Sequence, residues 1–138
     1  MKPITPAVVV CMLSSLVIGC HSLSKMSENQ NAKIYVLRRL SLTGSGRITV
    51  KDNAKQVGTI DRGGSLSWNR PAGTATITIY HAGSEAKQTL TVEANQTYYL
   101  EVKATHATAG HPKVVQIQTL SAKEGQHVLY VINHEFGG

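Results

Sequence analysis

The sequence lacks the short motifs by which the common enzyme classes are recognised. It contains no Gly-x-Ser-x-Gly elbow, no glycine-rich phosphate loop and no His-Glu-x-x-His pair. Its glutamates are scattered, with no spacing that would pair two of them as acid and base. His106 and His111 flank one predicted loop, but neither a cysteine pair nor an acidic cluster accompanies them to complete a zinc shell. We therefore expect a non-enzymatic protein with no catalytic residues, no metal site and no cofactor.

Cysteine and long apolar runs are also scarce. The chain of 138 residues has two cysteines, Cys11 and Cys20, and both lie in or directly after an apolar N-terminal run. An exported domain that follows them would contain no disulfide and would depend on its apolar core. Residues 7–18 form an uncharged run of twelve residues, which is shorter than the about 20 residues that a transmembrane helix needs.

The N-terminal run instead has the organisation of a secretory signal peptide. Lys2 supplies a basic start, residues 7–18 supply the apolar stretch, and Gly19 is a small residue at the expected cleavage point. We predict that residues 1–19 are a signal peptide cleaved between Gly19 and Cys20. Residues 20–32 are rich in Ser, Asn and Gln, which predicts a flexible tether. Residues 33–138 are then the folded domain.

Residues 17–20, Val-Ile-Gly-Cys, resemble the lipobox of bacterial lipoproteins. The resemblance implies that diacylglycerol is attached to the Cys20 sulfur and that the new N-terminus is acylated, for example by palmitate. Two or three acyl chains would hold the protein stably in a membrane, whereas one chain binds only marginally. His21 stands where many Gram-negative bacteria use Asp to retain a lipoprotein at the inner membrane. The resemblance therefore implies an outer-membrane protein that faces the periplasm.

From residue 33 onward the pattern is that of an all-β protein. Short segments alternate apolar and polar residues between turn residues, which is typical of half-buried strands. In residues 74–81 we expect Ile77 and Ile79 to face inward. In residues 97–105 we expect Tyr98, Leu100, Val102 and Ala104 to face inward, and Tyr99, Glu101 and Lys103 to face outward.

No segment shows a sustained helical period. We expect one helical turn at residues 122–126 and a closing strand at residues 128–132. Seven to nine short strands with hairpin-length turns predict an antiparallel β-sandwich. A small closed barrel is the alternative architecture.

Four short segments occur in a fixed order along the domain: Ile34-Tyr35-Val36 with Arg38, Val57-Gly58-Thr59-Ile60, Pro71-Ala72-Gly73 and Gln96-Thr97-Tyr98-Tyr99-Leu100. They resemble the successive motifs of the bacterial lipoprotein family catalogued as domain of unknown function 2846, over about residues 32–120. The resemblance implies a prealbumin-like or immunoglobulin-like β-sandwich and brings no established catalytic residues. Asn95 stands where the family usually has Gly, and both residues tolerate a positive φ.

Basic residues are concentrated in the first half of the domain. Residues 33–70 contain eight basic residues against two aspartates, whereas residues 71–138 contain four basic against five acidic residues. One interpretation is a solvated set of side chains that discourages pairing at sheet edges. The other is a patch that binds anionic lipid headgroups, lipopolysaccharide phosphates or peptidoglycan carboxylates. The patch would consist of Arg38, Arg39, Arg47, Lys51, Arg62, Arg70 and Trp68.

Two functions are open from the sequence. The first is a lipid-anchored module that docks another envelope protein, for instance through an exposed strand edge. The second is a ligand-binding module whose basic half, with Trp68 or with Tyr80 and Tyr99, binds anionic glycan or lipid headgroups. Nucleic acid is not an expected partner in this compartment. Basic residues gathered beside exposed aromatic residues would favour ligand binding, and basic residues scattered around the edges would favour docking.

Overall fold

The structure is a computed structural model, and it describes residues 30–40, 46–105 and 114–135 of the chain. The predicted signal peptide, Cys20 and the loop that contains His106 and His111 lie outside the described residues. Within the described ranges there are eight strands and one helix. Their bounds are β1 Asn31–Leu37, β2 Ile48–Asp52, β3 Lys55–Ile60, β4 Ser65–Pro71, β5 Gly73–His81, β6 Ser84–Val92, β7 Thr97–Ala104, β8 Val115–Leu120 and α1 Ala122–Glu135.

The strands form two four-stranded sheets. Sheet I has the order β4-β1-β7-β8, and sheet II has the order β3-β2-β5-β6. The pairing of β1 with β7 is parallel, and the other five described pairings are antiparallel. The predicted all-β sandwich of about seven to nine strands is therefore confirmed.

The core lies between the two sheets, where alternate residues of both sheets meet. Ile34 on β1, Val50 on β2, Ile77 and Ile79 on β5, and Leu100 on β7 are all fully buried in one apolar cluster. The inward positions predicted for residues 74–81 are confirmed. Because burial of such a side chain contributes about 1.5–3 kcal/mol, this cluster stabilises the contact between the sheets.

Tight turns join neighbouring strands at positions where the backbone takes a positive φ. Asn53 and Ala54 have φ values of 46° and 69°, so the β2–β3 hairpin has two successive left-handed residues. This is the geometry of the two-residue type I′ loop, whose twist matches the twist of the strands. Asn95, with φ of 62°, takes the left-handed conformation that its place in the sequence predicted.

The helical turn predicted at residues 122–126 is the start of a longer helix, α1, and the strand predicted at residues 128–132 was wrong, because those residues continue this helix. Ser121 and Glu124 form a capping box, in which the Glu124 carboxylate accepts hydrogen bonds from the Ser121 backbone N–H at 3.0 Å and hydroxyl at 2.7 Å. Gly125, Val128 and Ile132 are buried at spacings of three and four residues, which is the period of one helix face. The apolar run therefore continues the helix instead of forming a strand.

Helix α1 packs on the outer face of sheet I. Tyr99 and Glu101 lie on this face as predicted, but they are not exposed: their exposed fractions are 6% and 3%. Tyr99 packs in a second apolar cluster with Leu37 of β1 and Val128 of α1. The expectation that this face is open to solvent was wrong at these two positions.

The first described strand begins inside the segment that composition assigned to the tether. Asn31 and Ala32 belong to β1, and Ala32 is fully buried. In the ranges that the structure describes, no helix is both long enough and apolar enough to cross a membrane.

Candidate functional site

The seven residues of the predicted anionic patch lie in three separate places. The ends of β1 and β3 and the start of β2 carry Arg38, Arg39, Arg47 and Arg62, because β2 and β3 are antiparallel with Ile48 opposite Ile60. We call this the arginine end of the sandwich. Lys51 lies on the outer face of sheet II, next to Tyr80 at 4.8 Å from Nζ to the ring centroid. Trp68 and Arg70 lie on β4, toward the opposite end.

Arg38 has a structural position at the arginine end. Its exposed fraction is 3%, and its Nη1 donates to the Gly46 carbonyl at 2.6 Å and to the Ile60 carbonyl at 3.4 Å. Burial lowers the pKa of Arg38 from its ordinary value, and the nearby Arg62 lowers this pKa further. Arg38 therefore connects the end of β1 to Gly46, which precedes β2, and to Ile60, which ends β3. Its charge is not presented to solvent.

Two exposed arginines at this end, Arg47 and Arg39, each pair with a carboxylate. Arg47 Nε donates to Asp61 at 3.0 Å, and this hydrogen bond raises the pKa of Arg47. Arg39 Nε lies 2.6 Å from Glu101 Oε1, with side chains exposed by 56% and 5% respectively. The pairs show that the planar guanidinium groups at this end already engage carboxylates.

An open cleft lies between the edge strands β3 and β4, here called the β3–β4 cleft. Its volume is about 630 Å³. A β-bulge lies where the cleft opens, because Val50 is opposite Gly58 while Lys51 is opposite Gln56, and a bulge bends its strand locally. The cleft is lined by Asp52, Asn53, Lys55, Gln56, Val57, Trp68, Asn69, Arg70 and Pro71.

At the opposite end of the two strands the cleft is closed. A Cβ on Gly58 of β3 would come within 2.9 Å of Leu66 Cδ1 on β4. The glycine therefore permits a close approach of the two sheets, and the cleft opens only toward Asp52.

A network of hydrogen bonds forms one wall of the cleft. The Asp52 carboxylate accepts a hydrogen bond from Trp68 Nε1 at 2.8 Å through Oδ2 and one from Arg70 Nη1 at 2.6 Å through Oδ1. Arg70 Nη2 also donates to the Thr74 carbonyl at 3.1 Å. Trp68 packs in addition against the main core. Both residues are therefore held in fixed orientations by the protein itself.

Sequence reasoning overlooked Asp52 as a site residue, although the sequence contained a signal. On β2, Ile48 and Val50 face the core, so strict alternation also turns Asp52 inward. An inward carboxylate needs a hydrogen-bonding partner. The sequence therefore indicated that a hydrogen-bond donor lies beside Asp52. In the structure Arg70 is such a donor.

The cleft walls carry groups that can bind a ligand or a peptide segment. Its walls offer the indole of Trp68, the apolar Val57 and the side-chain amides of Gln56 and Asn69. In the described ranges, no group of three or more His, Cys, Asp or Glu residues could hold a metal ion. His81, the histidine described at the sheet end, is buried with Nδ1 3.4 Å from the Arg47 carbonyl.

Comparisons with known proteins give little. No family model matches the chain, and no curated protein matches it. Among solved structures, the N-terminal domain of AlgF from P. aeruginosa is similar, with 15% sequence identity, a TM-score of 0.36, and coverage of 65% of this chain and 95% of that chain. A likeness of this size supports no inference about function.

Proposed function

We propose that this chain is a lipid-anchored, non-catalytic interaction module of the bacterial cell envelope. Acyl groups on Cys20 hold it at the periplasmic face of the outer membrane. The β3–β4 cleft docks an extended segment of another envelope protein. The observation that carries the docking proposal is that one open cleft is bordered by two strand edges.

The strand edges supply the affinity in this proposal. Among the described strands, β3 pairs only with β2, and β4 pairs only with β1. Each therefore presents backbone N–H and C=O groups on its outer side. An extended segment can add to such an edge as a further strand, with main-chain hydrogen bonds giving affinity and side-chain pockets giving selectivity.

The cleft wall supplies the selectivity. Trp68 offers a large apolar surface, and its hydrogen bond to Asp52 fixes the ring before any partner arrives. Aromatic anchors held in this way are frequent hot spots of interfaces. The ion pair of Asp52 with Arg70 neutralises both charges, so the wall around Trp68 favours an apolar or amide-bearing segment, while Lys55 gives the whole lining one net positive charge.

The anchoring part of the proposal rests on the lipobox resemblance of residues 17–20. The motif order that resembles domain of unknown function 2846 supports it, since members of that family are typically small exported lipoproteins. The β-sandwich is compatible with the fold that the resemblance implies. The family assignment itself stays a prediction.

The ligand-binding alternative is less well supported. It required the basic residues to gather beside exposed aromatic residues. Instead, Arg70 beside Trp68 is paired with Asp52, Lys51 beside Tyr80 lies on the outer face of sheet II away from the arginine end, and Tyr99 is only 6% exposed. The scattered arrangement of the basic residues agrees better with docking.

The anchor is tested by replacing Cys20 with Ser in the full chain expressed in a Gram-negative host. We expect metabolic labelling with palmitate to disappear and the precursor mass to persist. Cys11→Ser is the matched control and should mature normally. Normal processing of the Cys20→Ser protein would refute the anchor.

Docking is tested by photocrosslinking in cells. A photoreactive residue at Gln56 or Asn69, both exposed in the cleft wall, should give the same discrete adduct, whereas one at Thr89 on the outer face of sheet II should not. Gln56→Arg should abolish the adduct formed from position 69, because it places a charge in the cleft. Thr59→Arg, on the outer face of the same strand, should leave it unchanged. An adduct insensitive to Gln56→Arg would contradict docking in the cleft.

A further inference from the structure

A second cleft lies at the arginine end, on the outer face of sheet I. Its volume is about 320 Å³, within the lower range of small-ligand pockets. The residues that matter are Arg39, which follows β1, and Glu101, Lys103 and Gln116 on β7 and β8. We call it the Arg39–Lys103 cleft.

The charges in this cleft are unequal. Arg39 Nε lies 2.6 Å from one oxygen of the Glu101 carboxylate, and Lys103 Nζ lies 3.8 Å from the other. The Glu101 side chain is 5% exposed, whereas those of Arg39 and Lys103 are 56% and 55% exposed. Two cations thus share one buried carboxylate. The exposed Glu124 at the start of α1 also interacts electrostatically with Arg39, so the unbalanced positive charge that a ligand meets is on the Lys103 side of the cleft.

The geometry holds the cations in place. Lys103 Nζ also donates to Gln118 Oε1 at 2.9 Å, which positions it beside the strand β8. The buried Glu101 carboxylate holds the Arg39 guanidinium in place through their ion pair. Such prior fixation reduces the side-chain entropy lost when a ligand binds.

We propose that the Arg39–Lys103 cleft binds a peptide carboxylate, either an acidic side chain or a terminal carboxylate. A guanidinium can bind a planar carboxylate through two parallel hydrogen bonds, because its N–H groups match the two oxygens. The charged residues that line the cleft are the cations Arg39 and Lys103 and the carboxylate Glu101. Binding of one ligand carboxylate would therefore bring the net charge of these groups to zero. The source of the peptide is an acidic segment of a protein or the peptide stem of peptidoglycan, which share this chemistry.

Binding is tested by calorimetric titration of the full chain, purified in detergent, with acetylated tetraglutamate, and with tetraglutamine as the uncharged control peptide. Lys103→Gln should weaken tetraglutamate binding at least tenfold, and Arg47→Gln, an exposed arginine outside the cleft, should change it less than twofold. Glu101→Gln should tighten binding several-fold, because it removes the competing carboxylate while an amide oxygen still accepts from Arg39. A purely structural Glu101 would not give this gain.

The possible results distinguish the two sources of the peptide carboxylate, and they also distinguish this proposal from the proposed docking function. Retention on isolated sacculi that Lys103→Gln abolishes would assign the stem peptide, and binding to tetraglutamate without retention on sacculi would assign an acidic protein segment. Absence of both, or equal binding by the Lys103→Gln protein, would overturn the proposal. Palmitate labelling of Cys20 and crosslinking from Asn69 report on the proposed function separately, so a failure here is distinguishable from its failure.

Discussion

Arg70 and Asp52 form an ion pair that joins the two sheets of the sandwich. The Arg70 Nη1 atom lies 2.6 Å from Asp52 Oδ1, and both side chains are only 11% exposed. Arg70 belongs to the edge strand β4 of sheet I, and Asp52 is the last residue of β2 in sheet II. A second pair of the same chemistry, Arg47 with Asp61, is solvent-exposed, with side-chain exposures of 65% and 69%. The molecule therefore contains its own comparison of a buried and an exposed pair.

We expect Asp52→Asn to lower the free energy of unfolding by about 3 kcal/mol, because it leaves the Arg70 guanidinium largely buried without a counter-charge. Asp61→Asn should cost less than about 1 kcal/mol, since exposed pairs contribute little. Urea denaturation of the two variants beside the unchanged protein measures both effects. Equal losses would show that the Asp52 pair does not connect the sheets as described.

The strands could be predicted because their signal is local. In β5, Ala75, Ile77 and Ile79 are buried as the alternation predicts, although Thr78 between the two isoleucines is buried as well. The helix was missed because residues 128–132 are apolar and partly β-branched, which is equally typical of a strand. The Ser121–Glu124 capping box and the spacing of Gly125 from Val128 would have distinguished the two.

The clefts could not be predicted, because they depend on contacts between segments that are distant in the sequence. Arg39 and Glu101 are 62 positions apart and meet only because β1 and β7 pair in parallel, with Leu37 opposite Glu101. Trp68 reaches Asp52 across the boundary between two sheets. The number of basic residues in the first half of the domain suggested one basic patch. The topology instead places these residues at the arginine end, at the opposite end of the sandwich and on the outer face of sheet II.

Gly125 allows α1 to lie close to sheet I, so Gly125→Ala should destabilise the protein. A Cβ there would overlap the Cβ and ring atoms of Tyr99, which cannot move away without moving β7. Overpacking of this kind costs about 1–3 kcal/mol, more than the about 1 kcal/mol that Ala gains over Gly in a helix. Thermal denaturation followed by circular dichroism tests this, with the exposed neighbour Gln126→Ala as a control that should change stability by less than about 0.5 kcal/mol. An increase in stability on Gly125→Ala would contradict the described packing.

Ala54 is held in a conformation that suits glycine, so Ala54→Gly should stabilise the protein. Its φ of 69° lies in the left-handed region, which costs an L-residue about 1–2 kcal/mol. Part of this gain is lost because Gly increases the entropy of the unfolded chain by about 0.4–1 kcal/mol, which leaves a net gain of up to about 1 kcal/mol. Ala72→Gly, at an exposed turn residue without a positive φ, should instead destabilise the protein. The midpoints of urea denaturation should move in opposite directions, and a shift of both in the same direction would contradict this interpretation of the hairpin.

Glu124 makes the start of α1 sensitive to acid. Hydrogen bonds from the Ser121 side chain and backbone lower the pKa of Glu124 below its ordinary value of 4.5. A carboxyl group whose pKa is lower in the folded state stabilises the protein above its unfolded pKa, and that contribution is lost as the pH falls through the folded pKa. Stability should therefore decrease more steeply in the unchanged protein than in the Glu124→Gln variant as the pH falls below 4.5, since Gln keeps the capping geometry but does not titrate.

Urea denaturation at a series of pH values measures this difference in slope. The Ser121→Ala background is the control, because the hydroxyl that contributes most to the lowered pKa is then absent. In that background, Glu124→Gln should change the slope less than it does beside Ser121. If the slope changed equally in the two backgrounds, the acid sensitivity would have to come from a carboxylate other than the one in the capping box.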